Sequence, residues 1–111
     1  MKDYESMTDF ELNLLAARKF LDWDDLKTTP FKENQTAVAW GDGYNWYDYD
    51  PCHDWRVAGE LIESHGIGVR KQLSGMWVIT QPEGKFPQYV KSPRRGIVIV
   101  ALMMEEANGI N

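Results

Sequence analysis

The spacing of apolar residues near the start of the chain predicts a helix. Apolar side chains recur with the helical period at Leu12, Leu15, Ala16 and Phe20. Thr8 and Glu11 have the spacing of a capping box, in which each side chain accepts a hydrogen bond from the other residue's backbone amide. We therefore expect a helix that begins after Thr8 and ends within residues 19–22.

The next segment predicts little regular structure. Residues 21–35 are largely polar and contain Pro30, which is typical of a loop. The alternating sequence TAVAW at 36–40 predicts a short strand or an extended arm, and GDG at 41–43 predicts a turn.

The stretch YNWYDYDPCHDW, residues 44–55, ends in a pattern typical of a helix start. Aspartate is a favoured N-cap and proline suits the first helical position, so we expect Asp50 to cap a helix over about 51–65. Its first turn would contain Cys52, and Gly66 would supply the left-handed stop. The apolar face of this helix comprises Trp55, Ala58, Leu61, Ile62 and His65.

Two alternating segments then predict an antiparallel hairpin. Residues 67–73 and 76–81 alternate with a period of two, and Ser74 and Gly75 form a turn between them. Residues 82–91 contain two prolines and a glycine, so we expect a loop or an irregular sheet edge there.

The closing segment predicts a third helix that begins at Ser92 and Pro93 and ends near residue 107. Its sequence GIVIVALMM, residues 96–104, is apolar on every face, whereas a surface helix shows one apolar stripe. Such a helix lies either in the centre of the core or at a homodimer interface.

These elements predict an α+β fold in a single domain over residues 1–111. We expect a small antiparallel sheet with a β-hairpin, packed against three helices in an αβα sandwich. A chain of 111 residues is long enough for one hydrophobic core. Its opening sequence MKDYESMTDF has no apolar run, which predicts no signal peptide.

The charge distribution narrows the classes of partner. Residues 1–65 carry 14 acidic and 6 basic side chains, whereas residues 66–111 carry 3 acidic and 6 basic ones. An acidic surface repels phosphate backbones, so duplex binding is disfavoured. Three interpretations of the charge distribution stay open: a partner with a basic patch, self-association of opposite ends of the chain, and an acidic face that is simply solvated.

The reactive side chains predict no catalysis. Cys52 is the only cysteine, which excludes an internal disulfide and fits a reducing compartment. Of the two histidines, His53 is adjacent and points away, and His65 lies more than three turns along the same helix. The chain also has no spaced pair of zinc ligands, calcium loop or phosphate-binding loop. We expect no catalytic residue, metal or cofactor.

Aromatic residues are instead the basis of a binding hypothesis. Tryptophan, tyrosine and arginine dominate the energetics of protein interfaces. We expect binding through Trp46, Tyr47, Asp48 and Tyr49, with a second patch at Arg94 and Arg95. The alternative is that Trp46 and Trp55 pack inward and only the tyrosines face water. The second functional hypothesis is a nucleic-acid-associated factor that uses Lys91, Arg94, Arg95, Arg70 and Lys71.

Four stretches of the chain resemble the NinX family of small tailed-phage proteins. They are MKDYESMTDFELN, YDYDPCHDW, GMWVITQ and SPRRGIVIVALMMEEA. The chain is also similar to the broader phage αβα-sandwich domain. Arg95 matches the arginine of the family, Arg94 is additional, and Cys52 follows the proline where the family usually places cysteine earlier.

The resemblance implies origin rather than chemistry. It implies a phage or prophage accessory protein made in the cytoplasm of the bacterial host. The family supplies no biochemical activity to carry over. We therefore expect a non-enzymatic factor that binds a host or phage protein, with no role at a membrane.

Overall fold

The computed structural model describes residues 3–21, 27–28, 36–41 and 46–108. The chain divides into two compact units, Met1–Asp50 and Pro51–Asn111. The described residues include three α-helices and two antiparallel sheets of three strands each. The α+β class and the hairpin are thus confirmed, although two sheets form where one was predicted. The αβα layering and the single-domain organisation stay predictions.

Helix α1, Asp9–Phe20, opens the first unit after a short 3-10 turn at Tyr4–Ser6. The capping box is present: the amide of Glu11 donates to Oγ1 of Thr8, and the amide of Thr8 donates to Oε1 of Glu11, both at 3.1 Å. The predicted start and end of this helix are confirmed.

The first sheet has the order β1-β2-β3, with the strands Lys27–Thr28, Val38–Gly41 and Trp46–Tyr49. The strand predicted at 36–40 is confirmed. The loop predicted over 21–35 is wrong at β1, and the rest of it, like the GDG turn beyond Gly41, lies outside the described residues. Val38 pairs with Tyr49 at the buried end of this sheet.

Asp50 does not cap a helix, contrary to the prediction. Its carboxylate accepts hydrogen bonds from Nδ2 of Asn13 at 2.6 Å and from Oγ1 of Thr36 at 3.1 Å. The Asn13 amide also donates to the backbone oxygen of Thr36. Since Asn13 is completely buried, Asp50 satisfies a polar group that would otherwise be costly to bury.

Helix α2, Trp55–His65, begins four residues later than predicted. Asp54 is its N-cap, because its Oδ1 accepts from the amide of Arg56 at 2.9 Å. Cys52 and His53 therefore lie in the turn before the helix. The left-handed stop at Gly66, with φ of 67°, is confirmed.

The second sheet has the order β4-β5-β6, with the strands Gly68–Lys71, Trp77–Gln81 and Lys85–Val90. Strands β4 and β5 form the predicted hairpin. Strand β6 takes up the segment for which a loop or an irregular edge was expected. It lies at an edge of the sheet, and its register against β5 shifts between Ile79 and Gln81.

Helix α3, Pro93–Asn108, is the most buried element of the second unit. All residues from Gly96 to Leu102 are buried. A Cβ atom at Gly96 would lie 2.7 Å from Cγ2 of Val90 and 2.9 Å from Cγ1 of Ile79, so the helix backbone packs directly on the sheet. Burial within one chain accounts for the apolar sequence, and homodimerisation stays a prediction.

Two contacts show that α2 and α3 lie side by side and run in the same direction. At their beginnings, the Arg94 guanidinium carbon lies 5.2 Å from the centroid of the Trp55 ring. Near their ends, Nε2 of His65 lies 3.1 Å from Oε1 of Glu105. The contacts are separated by ten residues on α2 and eleven on α3, about 15 Å along each axis. The positive ends of both helix dipoles therefore lie close together.

No helix in the described part of the chain has both the length and the apolar composition needed to cross a bilayer.

The close packing of α3 predicts opposite effects for two glycine substitutions. Gly96→Ala should lower the free energy of unfolding by about 1–3 kcal/mol, because its methyl group overlaps Ile79 and Val90. Gly59→Ala should raise it by about 0.5–1 kcal/mol, since no atom lies within 4 Å of the added carbon inside α2. Urea unfolding of both variants measures the two effects. An unchanged free energy of unfolding for Gly96→Ala would contradict the close contact.

Replacement of Asp50 and of Asp54 should lower the free energy of unfolding for different reasons. Asp54→Ala should cost about 1 kcal/mol of stability, the usual value for a lost N-cap. Asp50→Ala should cost about 1–3 kcal/mol, because it leaves the buried Asn13 amide without one acceptor. Urea unfolding again provides the measurement. In the double variant Asp50→Ala, Asn13→Ala, the loss of unfolding free energy should be smaller than the sum of the two single losses. An additive loss would contradict this pairing.

Candidate functional site

The first candidate surface consists of Tyr47 and Asp48 on β3, and we call it the β3 surface. The Tyr47 side chain is 52% exposed, and Asp48 is also exposed. Successive residues on a strand point to opposite faces. The aromatic ring and the carboxylate therefore project from opposite sides of the same short strand, each accessible to a partner.

The other two predicted residues of β3 differ from these. Tyr49 is 6% exposed and packs in the core, so it has no surface to offer a partner and we remove it from the candidate surface. Trp46 forms the first residue of β3, and its side chain lies outside the described residues. The predicted aromatic cluster is thus reduced to one exposed tyrosine and its acidic neighbour.

The second candidate surface lies where α2 and α3 begin, and we call it the arginine patch: Trp55, Arg94 and Arg95. Trp55 is the first residue of α2 and is 45% exposed, although the helical period predicted it on the buried face. Arg94 is the second residue of α3, and its guanidinium lies over the Trp55 ring. This geometry is that of a cation–π contact. Both arginines are half-buried.

The charge of Arg94 is not balanced by a carboxylate within the described residues. Its Nε atom is buried and has no hydrogen-bond acceptor there. Two acidic residues, the N-cap Asp54 and Glu60 of α2, are paired with Arg56 instead. The Arg56 guanidinium lies 3.9 Å from the Asp54 carboxylate and 3.8 Å from the Glu60 carboxylate. A partly buried guanidinium without a counter-ion is energetically unfavourable.

The basic residues of the nucleic-acid hypothesis do not form a continuous track. Arg70 and Lys71 are both exposed, but they are neighbours on β4 and point to opposite faces of the sheet. The Lys71 ammonium lies 5.8 Å from the Trp77 ring. Lys91 is exposed just before α3.

The side chains capable of nucleophilic or metal chemistry are dispersed. Cys52 is 1% exposed, and His53 is exposed beside it. The part of the chain that the structure describes contains no group of three or more histidine, cysteine or acidic residues that could hold a metal ion. Our expectations of no catalysis and no cofactor stay predictions.

The family model described as "Bacteriophage P22, NinX" matches residues 3–104. The chain belongs to this NinX family. The match extends over both the β3 surface and the arginine patch. No curated protein and no solved structure matches the chain.

Membership in the NinX family confirms the resemblance seen in the sequence and makes this chain a phage accessory protein. Sequence reasoning found Arg94 and Arg95 but missed Trp55 as their neighbour. No local signal revealed this neighbour, because the contact joins the beginnings of two helices separated by the second sheet.

Proposed function

We propose that this NinX-family chain is a non-enzymatic factor that binds a host or phage protein in the cytoplasm of an infected bacterium. The observation that carries the proposal is the exposure of Tyr47 beside Asp48 on β3. A tyrosine ring buries a large area at low entropic cost, and its hydroxyl group also forms hydrogen bonds.

The position of these side chains on a strand favours recognition. The backbone of β3 is paired with β2 from Trp46 to Tyr49, so the side chains are presented from an ordered element. An ordered element loses less conformational entropy on binding than a loop does. Tyr47 therefore suits an interface anchor on one face of β3, while Asp48 presents its carboxylate on the opposite face.

The absence of catalysis is supported by the surroundings of the reactive groups. Buried Cys52 offers no accessible thiol. It precedes α2 rather than occupying its first turn, so the helix dipole argument for a reactive thiolate is lost.

A role in nucleic-acid binding has weaker support. Binding of a single strand combines aromatic platforms with a groove of cations along the backbone. Here Arg70 and Lys71 point to opposite faces of β4, so these two cations do not line one groove. We therefore place this function second.

Affinity capture from bacterial lysate, followed by measurement with the purified partner, tests the proposed function. The variant is Tyr47→Ala with Asp48→Ala, and the matched control is Tyr89→Ala, whose tyrosine is 57% exposed on β6. We expect a protein that binds the native chain and the control alike. We also expect it to bind the β3 variant at least about tenfold more weakly.

Equal binding by all three chains would contradict a role for the β3 surface. Capture of nucleic acid, with an affinity that falls steeply as salt rises, would instead support the second function. Thermal unfolding must show that the variants remain folded at the temperature of the experiment.

A further inference from the structure

We propose that the arginine patch binds a carboxylate group in an acidic segment of a partner protein, with Arg94 as the principal ligand. The inference names the chemistry of the partner, and to that extent it rests on the protein-binding function proposed above. It concerns the second unit, whereas the β3 surface belongs to the first.

The first support is the uncompensated charge of Arg94. The guanidinium is half-buried against Trp55, its Nε has no acceptor, and no carboxylate of the described residues pairs with it. The ring of Trp55 shields one side of the cation from water, which strengthens its attraction for an anion. An incoming carboxylate supplies the counter-ion that the described fold lacks.

The second support is the direction of the two helices. Since α2 and α3 run in the same direction, their positive dipole ends coincide at Trp55 and Arg94. Arg95 and Lys91 add positive charge at the start of α3. An anion bound at this end of the two helices is attracted by these cations and by both helix dipoles.

The distribution of basic residues favours a single carboxylate over the backbone of a nucleic acid. Nε is the buried atom of the guanidinium, which leaves the terminal Nη groups for a ligand, and their paired N–H bonds match two oxygens of one anionic group. A nucleic acid is held through successive phosphates by a row of cations, whereas Arg70 and Lys71 point to opposite faces of β4 and offer no such row.

Titration with a hexaglutamate peptide, capped at both termini, tests the proposal. The readouts are the dissociation constant and the NMR shift of the Trp55 indole N–H. The variant is Arg94→Gln, and the matched control is Arg56→Gln, whose arginine is exposed and paired with Asp54 and Glu60. We expect binding by the native chain with a shift at Trp55. We also expect about tenfold weaker binding by Arg94→Gln and less than about twofold change in Arg56→Gln.

Three results would overturn the proposal: no binding of hexaglutamate to the native chain, equal loss in both variants, or binding without a shift at Trp55. Tighter binding of a single-stranded oligonucleotide, with the same dependence on Arg94, would overturn it in favour of nucleic acid. Circular dichroism must show that Arg94→Gln is folded, which we expect because the substitution removes a charge that lacks a counter-ion among the described residues.

The same variants separate this proposal from the proposed function. If the native chain captures no protein but hexaglutamate binding depends on Arg94, the carboxylate site stands and the protein-binding function fails. If a captured protein binds native chain and Arg94→Gln equally while hexaglutamate does not bind, the site is wrong and the function stands.

Discussion

The direct packing of α3 on β5 and β6 is the constraint on which the second unit depends. Gly96 brings the helix backbone against Ile79 and Val90, at distances that leave no room for a side chain. An apolar helix buried in this way needs cover on its other faces, and α2 supplies part of it by lying alongside. The parallel direction of the two helices then places Arg94 over Trp55. The arginine patch is thus a consequence of how the core is closed.

Local sequence signals predicted the helix ends correctly where a cap or a glycine alone determines the backbone conformation. The capping box of Thr8 and Glu11 and the left-handed glycine at Gly66 were predicted and confirmed. The start of α2 was not, because Asp50 and Asp54 are equally good caps in isolation. Asp50 is engaged instead by Asn13, which is 37 residues away in sequence, and no local pattern reveals such a partner. The remaining aspartate is left to cap the helix.

The candidate site was only partly predictable for the same reason. Tyr47 and Tyr49 lie on the same face of β3, and alternation alone could not show that one is exposed and the other buried. The contact of Trp55 with Arg94 depends on the course of the chain through the whole second sheet. Membership in the NinX family establishes a phage origin, while the chemistry of recognition has to be read from these side chains.

Hydrogen exchange of the free protein tests the central claim most directly, namely that α3 is buried by its own chain. Backbone amides from Ile97 to Leu102 should exchange only through global unfolding, and their protection should not change on about tenfold dilution. Such a result would show that the apolar helix needs no second copy. Protection that falls on dilution, or exchange of these amides well before global unfolding, would contradict the account and place α3 at a subunit interface or in a loosely packed region.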